Sequence, residues 1–282
     1  TYSYVVEEQD LMVSQGWRQK FMDLVIPPVH AAIGDLTIIT FEIIEDSSVG
    51  ASSVMFLPGI QASRLYAGED ISVPGLFNDV NQDERVWEAG NNNDVEALAM
   101  TPEGISINEI YTGDVIDTAG IGIGIGTFDV YAGFIAFMDS LEAGQDPLFK
   151  EWLPFAYDWR HSVFDVVENG TEYDDGIKSP IVEIERMATE SYTGKVTLVA
   201  HSNGGLLAKA IVLKLEEIGK EDLIDKIVFL ASPQLGTPKA IGTILHGYDQ
   251  EVGGGWVVDD QVARRVINNL PGAYYLLPCL LY

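Results

Sequence analysis

Residues 196–200, Val-Thr-Leu-Val-Ala, make a short apolar run that stops at His201-Ser202-Asn203-Gly204-Gly205 and gives way at once to an amphipathic stretch over 206–218. A run this short and rich in β-branched residues reads as a buried strand, and the small residues after it leave room for a sharp turn into a helix. Helical spacing puts Lys209, Lys214 and Glu217 on the outer face of that helix, which closes at Gly219. Crossover units of the same kind flank it. Residues 153–157 read as a strand, Ser179-Pro180 opens a helix with Ile181, Ile184, Met187 and Ala188 on one face, and 227–231 is another apolar strand. The order βαβαβ predicts a mostly parallel sheet with helices on both faces.

At 282 residues, 47% of them hydrophobic, the chain has material for one catalytic domain with elaborations. Residues 1–50 are read as an N-terminal extension with early strands, including a short helix over 17–25 and a strand over 36–44. Residues 51–282 form the core. There, 54–57 is a strand ending at Pro58-Gly59, and 128–141 is a helix with Val130, Phe134, Phe137 and Leu141 on one side. The span 66–127 between them reads as an irregular lid or cap, since so long a loop in a compact domain usually has a function. Trp87 and Leu76-Phe77 within it fit either a surface anchor or core.

The chain carries 16 Lys and Arg against 43 Asp and Glu, a formal net charge of -27. Such a field repels phosphate backbones and anionic surfaces at long range, so no nucleic acid partner is expected. The acidity fits a saline habitat or a secreted protein equally. The compartment stays open, with secretion the expected setting. A single cysteine, Cys279, excludes an intramolecular disulfide and a cysteine-based metal site, and no metal or cofactor is implied. No run reaches the roughly 18 apolar residues that span a bilayer. The chain starts at Thr1 without a signal-peptide pattern and is expected to be a mature chain or an excised piece.

The turn at Ser202 has the context of a nucleophile elbow, a serine between a strand and a helix. The residues two before and two after it must be small, and Ala200 and Gly204 are. This lifts Ser202 Oγ above the strand end, where the backbone N–H of Asn203 and the positive end of the helix face a developing oxyanion. The alternative is a tight helix start with Ser202 as its N-cap. A phosphate loop is disfavoured, because neither this turn nor the run 121–126 carries the required Lys-Ser/Thr or Gly-x-Gly-x-x-Gly context. His201 adjoins the serine, but neighbours at a strand end point to opposite sides, so a structural role, or one supporting the residues around the serine, is expected. His246 is placed in a Gly-containing loop, and His161 and His30 are read as ordinary.

Several segments together resemble the lecithin:cholesterol acyltransferase and lysosomal phospholipase A2 family of α/β-hydrolase lipases. They are Phe56-Leu57-Pro58-Gly59-Ile60-Gln61, Tyr157-Asp158-Trp159-Arg160, the serine turn, Ser232-Pro233-Gln234-Leu235-Gly236-Thr237-Pro238 and Leu270-Pro271-Gly272-Ala273-Tyr274-Tyr275. The resemblance implies that Ile60 supplies the second oxyanion-hole N–H opposite Asn203. It also implies that 66–118 corresponds to the lid and its lipid-surface contact, although this chain lacks the cysteines that staple the mammalian lids. Asp158 and Arg160 are read as a supporting ion pair rather than as reacting groups.

In α/β-hydrolases the acid and histidine follow the serine after further strands. Here no such strand-plus-histidine pattern follows 227–231, so the fold is expected to be truncated before its last core strands. Both partners are then expected outside the sequence, with His246 and Asp249 or Asp259 as the fallback. A sheet ending at 227–231 leaves an edge that a further segment, a second subunit or self-association would cover. The expected function is serine-dependent hydrolysis or transfer of a lipid acyl ester, with Ser202 as nucleophile and Ile60 and Asn203 as oxyanion donors. The alternatives are a catalytically inactive lipase-like binding or assembly module of a larger extracellular protein, and a peptidase on the same fold.

Overall fold

The apolar run at 196–200 lies inside a parallel sheet, as its crossover pattern predicts. The structure, a computed structural model, describes residues 50–72, 79–120, 127–143, 147–252, 255 and 257–279. The expected helix at 17–25, the strand at 36–44, Leu76-Phe77, the run 121–126 and His30 lie outside these residues. In chain order the elements are β1 (Ser53–Leu57), β2 (Ser63–Ala67), β3 (Arg85–Trp87), α1 (Asn92–Ala97), β4 (Ile110–Val115), β5 (Thr118–Gly120), β6 (Thr127–Asp129) and α2 (Ala132–Glu142). They continue as β7 (Trp152–Pro154), α3 (Val163–Asn169), β8 (Thr171–Tyr173), β9 (Gly176–Lys178), α4 (Pro180–Glu190), β10 (Val196–His201), α5 (Gly204–Glu217) and β11 (Ile224–Leu230). Helices α6 (Pro238–His246), α7 (Asp260–Ile267) and α8 (Pro271–Tyr274) follow.

The main sheet has the order β11-β10-β1-β7, with every pairing parallel. Successive residues of β1 face opposite sides, as a strand requires. Met55 and Leu57 join one core with Leu198, Ala200, Ile184 and Leu207, while Val54 and Phe56 join a second with Tyr131, Phe149 and Trp152. Helices therefore cover both faces, and the α/β-hydrolase architecture expected from the sequence is the one observed. Leu57 pairs with Ala200 and His201 with Leu230, so β1, β10 and β11 end almost in step. The loops after β1 and β10 consequently emerge at one rim. Among the described residues β11 is an edge strand, and its Phe229 is exposed.

Three expectations are corrected. The span 66–127 is not irregular: it supplies β3, β4 and β5, with the last two residues of β2, and a second sheet runs β3-β2-β4-β8-β9. Its strands are short and alternate buried with part-exposed residues, as in Ser63–Ala67, a pattern obscured by the Gly, Asp and Asn between them. Asn91 caps α1 in a reciprocal capping box with Asp94, which explains the asparagine run. Of the two readings left open for Trp87, core is the one observed, with its ring edge-on to Trp159 at 5.2 Å. Finally, the helix expected at 128–141 begins only at Ala132, because Thr127–Asp129 pair with Thr118–Gly120 as a strand and Asp117 O then accepts the N–H groups of Val130, Tyr131 and Ala132 (2.8, 2.9 and 3.0 Å) at the turn into the helix. Phe137, expected on the packed side, is exposed. Among the described residues, no helix is long and apolar enough to cross a membrane.

Candidate active site

Ser202 follows directly on β10 with φ +51°, a left-handed conformation that side-chain-bearing residues occupy at a cost. Its N–H donates to Leu230 O at 2.9 Å, which ties the turn to β11, and the residue is buried. Gly204 permits the tight approach: a Cβ there would collide with the carbonyl oxygen of Leu57, and one on Gly205 with the side chain of Ser232. Gly-to-Ala changes ordinarily favour a helix. Gly204→Ala should instead cost about 1–3 kcal/mol through overpacking, read as a lowered urea midpoint.

Facing the serine is the loop after β1. A carbon built on Gly59 would sit 3.1 Å from Ser202 Cβ and 3.6 Å from Oγ, so the loop passes directly over the nucleophile candidate. Tyr157 Oη donates to Pro58 O (3.1 Å), Gly59 N–H donates to Tyr131 Oη (3.2 Å), and Trp87 Nε1 donates to Gln61 O (2.7 Å). Gln61 itself has φ +62°. The N–H groups of Ile60 and Asn203 have no acceptor among the described residues. The Asn203 side chain is fully buried and donates from Nδ2 to Tyr157 Oη at 3.0 Å, which leaves its main chain for other use. Two unpaired main-chain donors beside a raised hydroxyl can stabilise an oxyanion formed on a carbonyl attacked by that hydroxyl.

His201 hydrogen-bonds from Nδ1 to Tyr131 Oη at 2.7 Å rather than to Ser202. Because Gly59 N–H already donates to that oxygen, we assign the hydroxyl hydrogen to Nδ1 and the imidazole proton to Nε2. Burial lowers the His201 pKa to about 4, keeping the ring neutral. His161 lies with Nε2 3.6 Å from Asp158 Oδ2. His246, expected in a loop, is the last residue of α6 and is exposed. The carboxylates considered for it are engaged elsewhere, Asp249 with Lys239 Nζ at 2.8 Å and Asp259 as the N-cap of α7. None of these three histidines hydrogen-bonds to Ser202 Oγ.

Asp158 and Arg160 form a buried ion pair, with Nη2 to Oδ2 at 2.6 Å and Nε to Oδ1 at 3.0 Å. Burial alone would raise the Asp158 carboxyl, but the charge and hydrogen bonds of Arg160 outweigh it and hold the group below the usual carboxylate range. Arg160 also reaches Ser106 Oγ at 2.9 Å, linking the pair to the segment ahead of β4. Two of these groups leave no local signal in the sequence. Tyr131 belongs to no motif, and Tyr157 reads only as part of a strand and of the family signature. Their contacts join residues distant in the chain, which no local spacing reveals.

Residues 150–280 match the family model for lecithin:cholesterol acyltransferase, a stretch that holds β7, the Asp158–Arg160 pair, the Ser202 turn and the 232–238 loop, but not Ile60. A comparison with curated proteins gives no match.

Proposed function

We propose, from the match of residues 150–280 to the lecithin:cholesterol acyltransferase family model, that the chain cleaves or transfers lipid acyl esters through an acyl-enzyme on Ser202. Ser202 Oγ attacks the ester carbonyl, and its proton passes to a histidine other than His161, His201 and His246. The carbonyl oxygen takes up negative charge and accepts hydrogen bonds from the N–H groups of Ile60 and Asn203. Collapse breaks the ester bond, and the histidine returns the proton to the leaving alcohol. Water or an acceptor alcohol then attacks the acyl-enzyme by the same route in reverse, which gives hydrolysis or acyl transfer.

The observation that carries this reading is the strained Ser202 turn lying under a loop whose Ile60 N–H, like that of Asn203, has no acceptor among the described residues. A serine that merely capped α5 has no need of the overlying loop. Fluorophosphonate labelling of the full-length protein, followed by peptide mapping, should place the adduct on the peptide containing Ser202. An unmodified Ser202 in protein that turns over esters would overturn the assignment.

A further inference from the structure

Pro58 O and Gly59 N–H are the two polar ends of one peptide group, and each is held by a buried tyrosine. Tyr157 Oη donates to the carbonyl end, and Tyr131 Oη accepts from the amide end. Each tyrosine also reaches a residue flanking Ser202: Tyr157 takes the hydrogen of Asn203 Nδ2, and Tyr131 bonds to His201 Nδ1. Four hydrogen bonds between 2.7 and 3.2 Å therefore connect both sides of the serine turn to both ends of a single peptide plane. Glycine at 59 would otherwise leave that plane free to rotate, and the next N–H along the chain belongs to Ile60.

The geometry points to Tyr131 and His201 as positioning residues that, together with Tyr157, brace the Pro58–Gly59 peptide and so aim the Ile60 N–H at the oxyanion; this rests on the acyl-enzyme reading above. Neither residue touches the reacting atoms. The brace suits the chemistry because a donor aimed in advance needs no reorganisation as charge develops. Burial raises the pKa of both tyrosines, so their hydroxyls stay protonated at neutral pH. The His201 ring stays neutral there as well, which keeps Nδ1 an acceptor. The Tyr131 ring packs edge-on against Phe56 at 5.0 Å, so phenylalanine at 131 keeps the packing and loses only the hydroxyl.

The test is steady-state ester kinetics on the full-length protein. Losing an oxyanion donor outright typically costs 10²–10³-fold in kcat, so a donor merely loosened should cost less. Tyr131→Phe and His201→Leu should each lower kcat about tenfold, with KM within about twofold of the parent. The double variant should be little worse than either single one, since both act on one peptide. His201→Asn, whose Oδ1 can stand in for Nδ1 as an acceptor, should recover most of the loss. A kcat within about twofold of the parent for both single variants, while Ser202→Ala is inactive, overturns the brace and leaves the nucleophile assignment standing. Full turnover in Ser202→Ala overturns the assignment itself. Where Tyr131→Phe does not fold, His201→Leu against His201→Asn decides alone: equal kcat values overturn the brace.

Discussion

Ser202→Ala is expected to reduce ester turnover by about 10⁴-fold or more, the scale seen when a nucleophile is removed from a serine enzyme. Folding should be preserved, because Ser202 Oγ makes no hydrogen bond among the described residues and the left-handed backbone of the turn is set by Gly204 and by the bond from Ser202 N–H to Leu230 O. Circular dichroism and the urea midpoint should match those of the parent protein. Turnover that survives the substitution would remove Ser202 from the chemistry, whereas a parent protein without ester turnover, indistinguishable from Ser202→Ala, would mean a lipase-like scaffold whose work lies in binding or assembly. Comparing lipid esters with peptide substrates in the same assay tests the lipid assignment. Adding an acceptor alcohol and analysing the products separates hydrolysis from acyl transfer.

The largest effect on stability is expected at the Asp158–Arg160 pair. Asp158→Ala leaves a guanidinium that is 1% exposed without its counter-charge, and breaking a buried pair from one side typically costs about 3–5 kcal/mol. Arg160→Met removes the cation itself, yet it leaves the Asp158 carboxyl buried without its counter-charge, so it should also destabilise. Chemical denaturation at pH 7 measures both. The pH dependence has a definite sign. The Asp158 carboxyl is held below its ordinary value in the folded protein, so its contribution is present above that ordinary value, about 4, and is lost as pH falls through the lower folded one. His201 acts at higher pH: unfolding frees its imidazole to take up a proton near 6.5, which burial prevents down to about 4 in the folded state. Stability should therefore begin to fall below about pH 6.5 and fall further below about pH 4. His201→Asn should remove the first of these losses.

What could be read from the chain followed from how local the physics was. The strand, turn and helix around Ser202 occupy adjacent residues, and the need for small side chains at 200 and 204 is a contact between near neighbours. Asp158 and Arg160 are two residues apart, so an ion pair between them was a short-range inference. The second sheet was not legible in this way. Its β4–β8 pairing joins Thr112 to Tyr173, and the hydroxyls of Thr112 and Thr171 meet at 3.0 Å, across a separation that strand-length alternation cannot encode. The late start of α2 depended on the carbonyl of Asp117, and the tyrosine brace on contacts spanning 46 to 99 residues. Periodicity does not report distances of that kind.

The second sheet also bears on how the protein is built over time. Strands β2, β3 and β4 precede β7 in the chain, whereas β8 and β9 follow it, so the layer over the main sheet is threaded through the core rather than inserted as one uninterrupted module. A ribosome must deliver residues through Lys178 before that layer can close, and its early strands wait with unpaired edges until then. Such deferred long-range pairing slows folding and exposes nascent chain to chaperones and to mispairing. It also means that exchanging this layer between relatives as a single contiguous cassette would leave two strands behind.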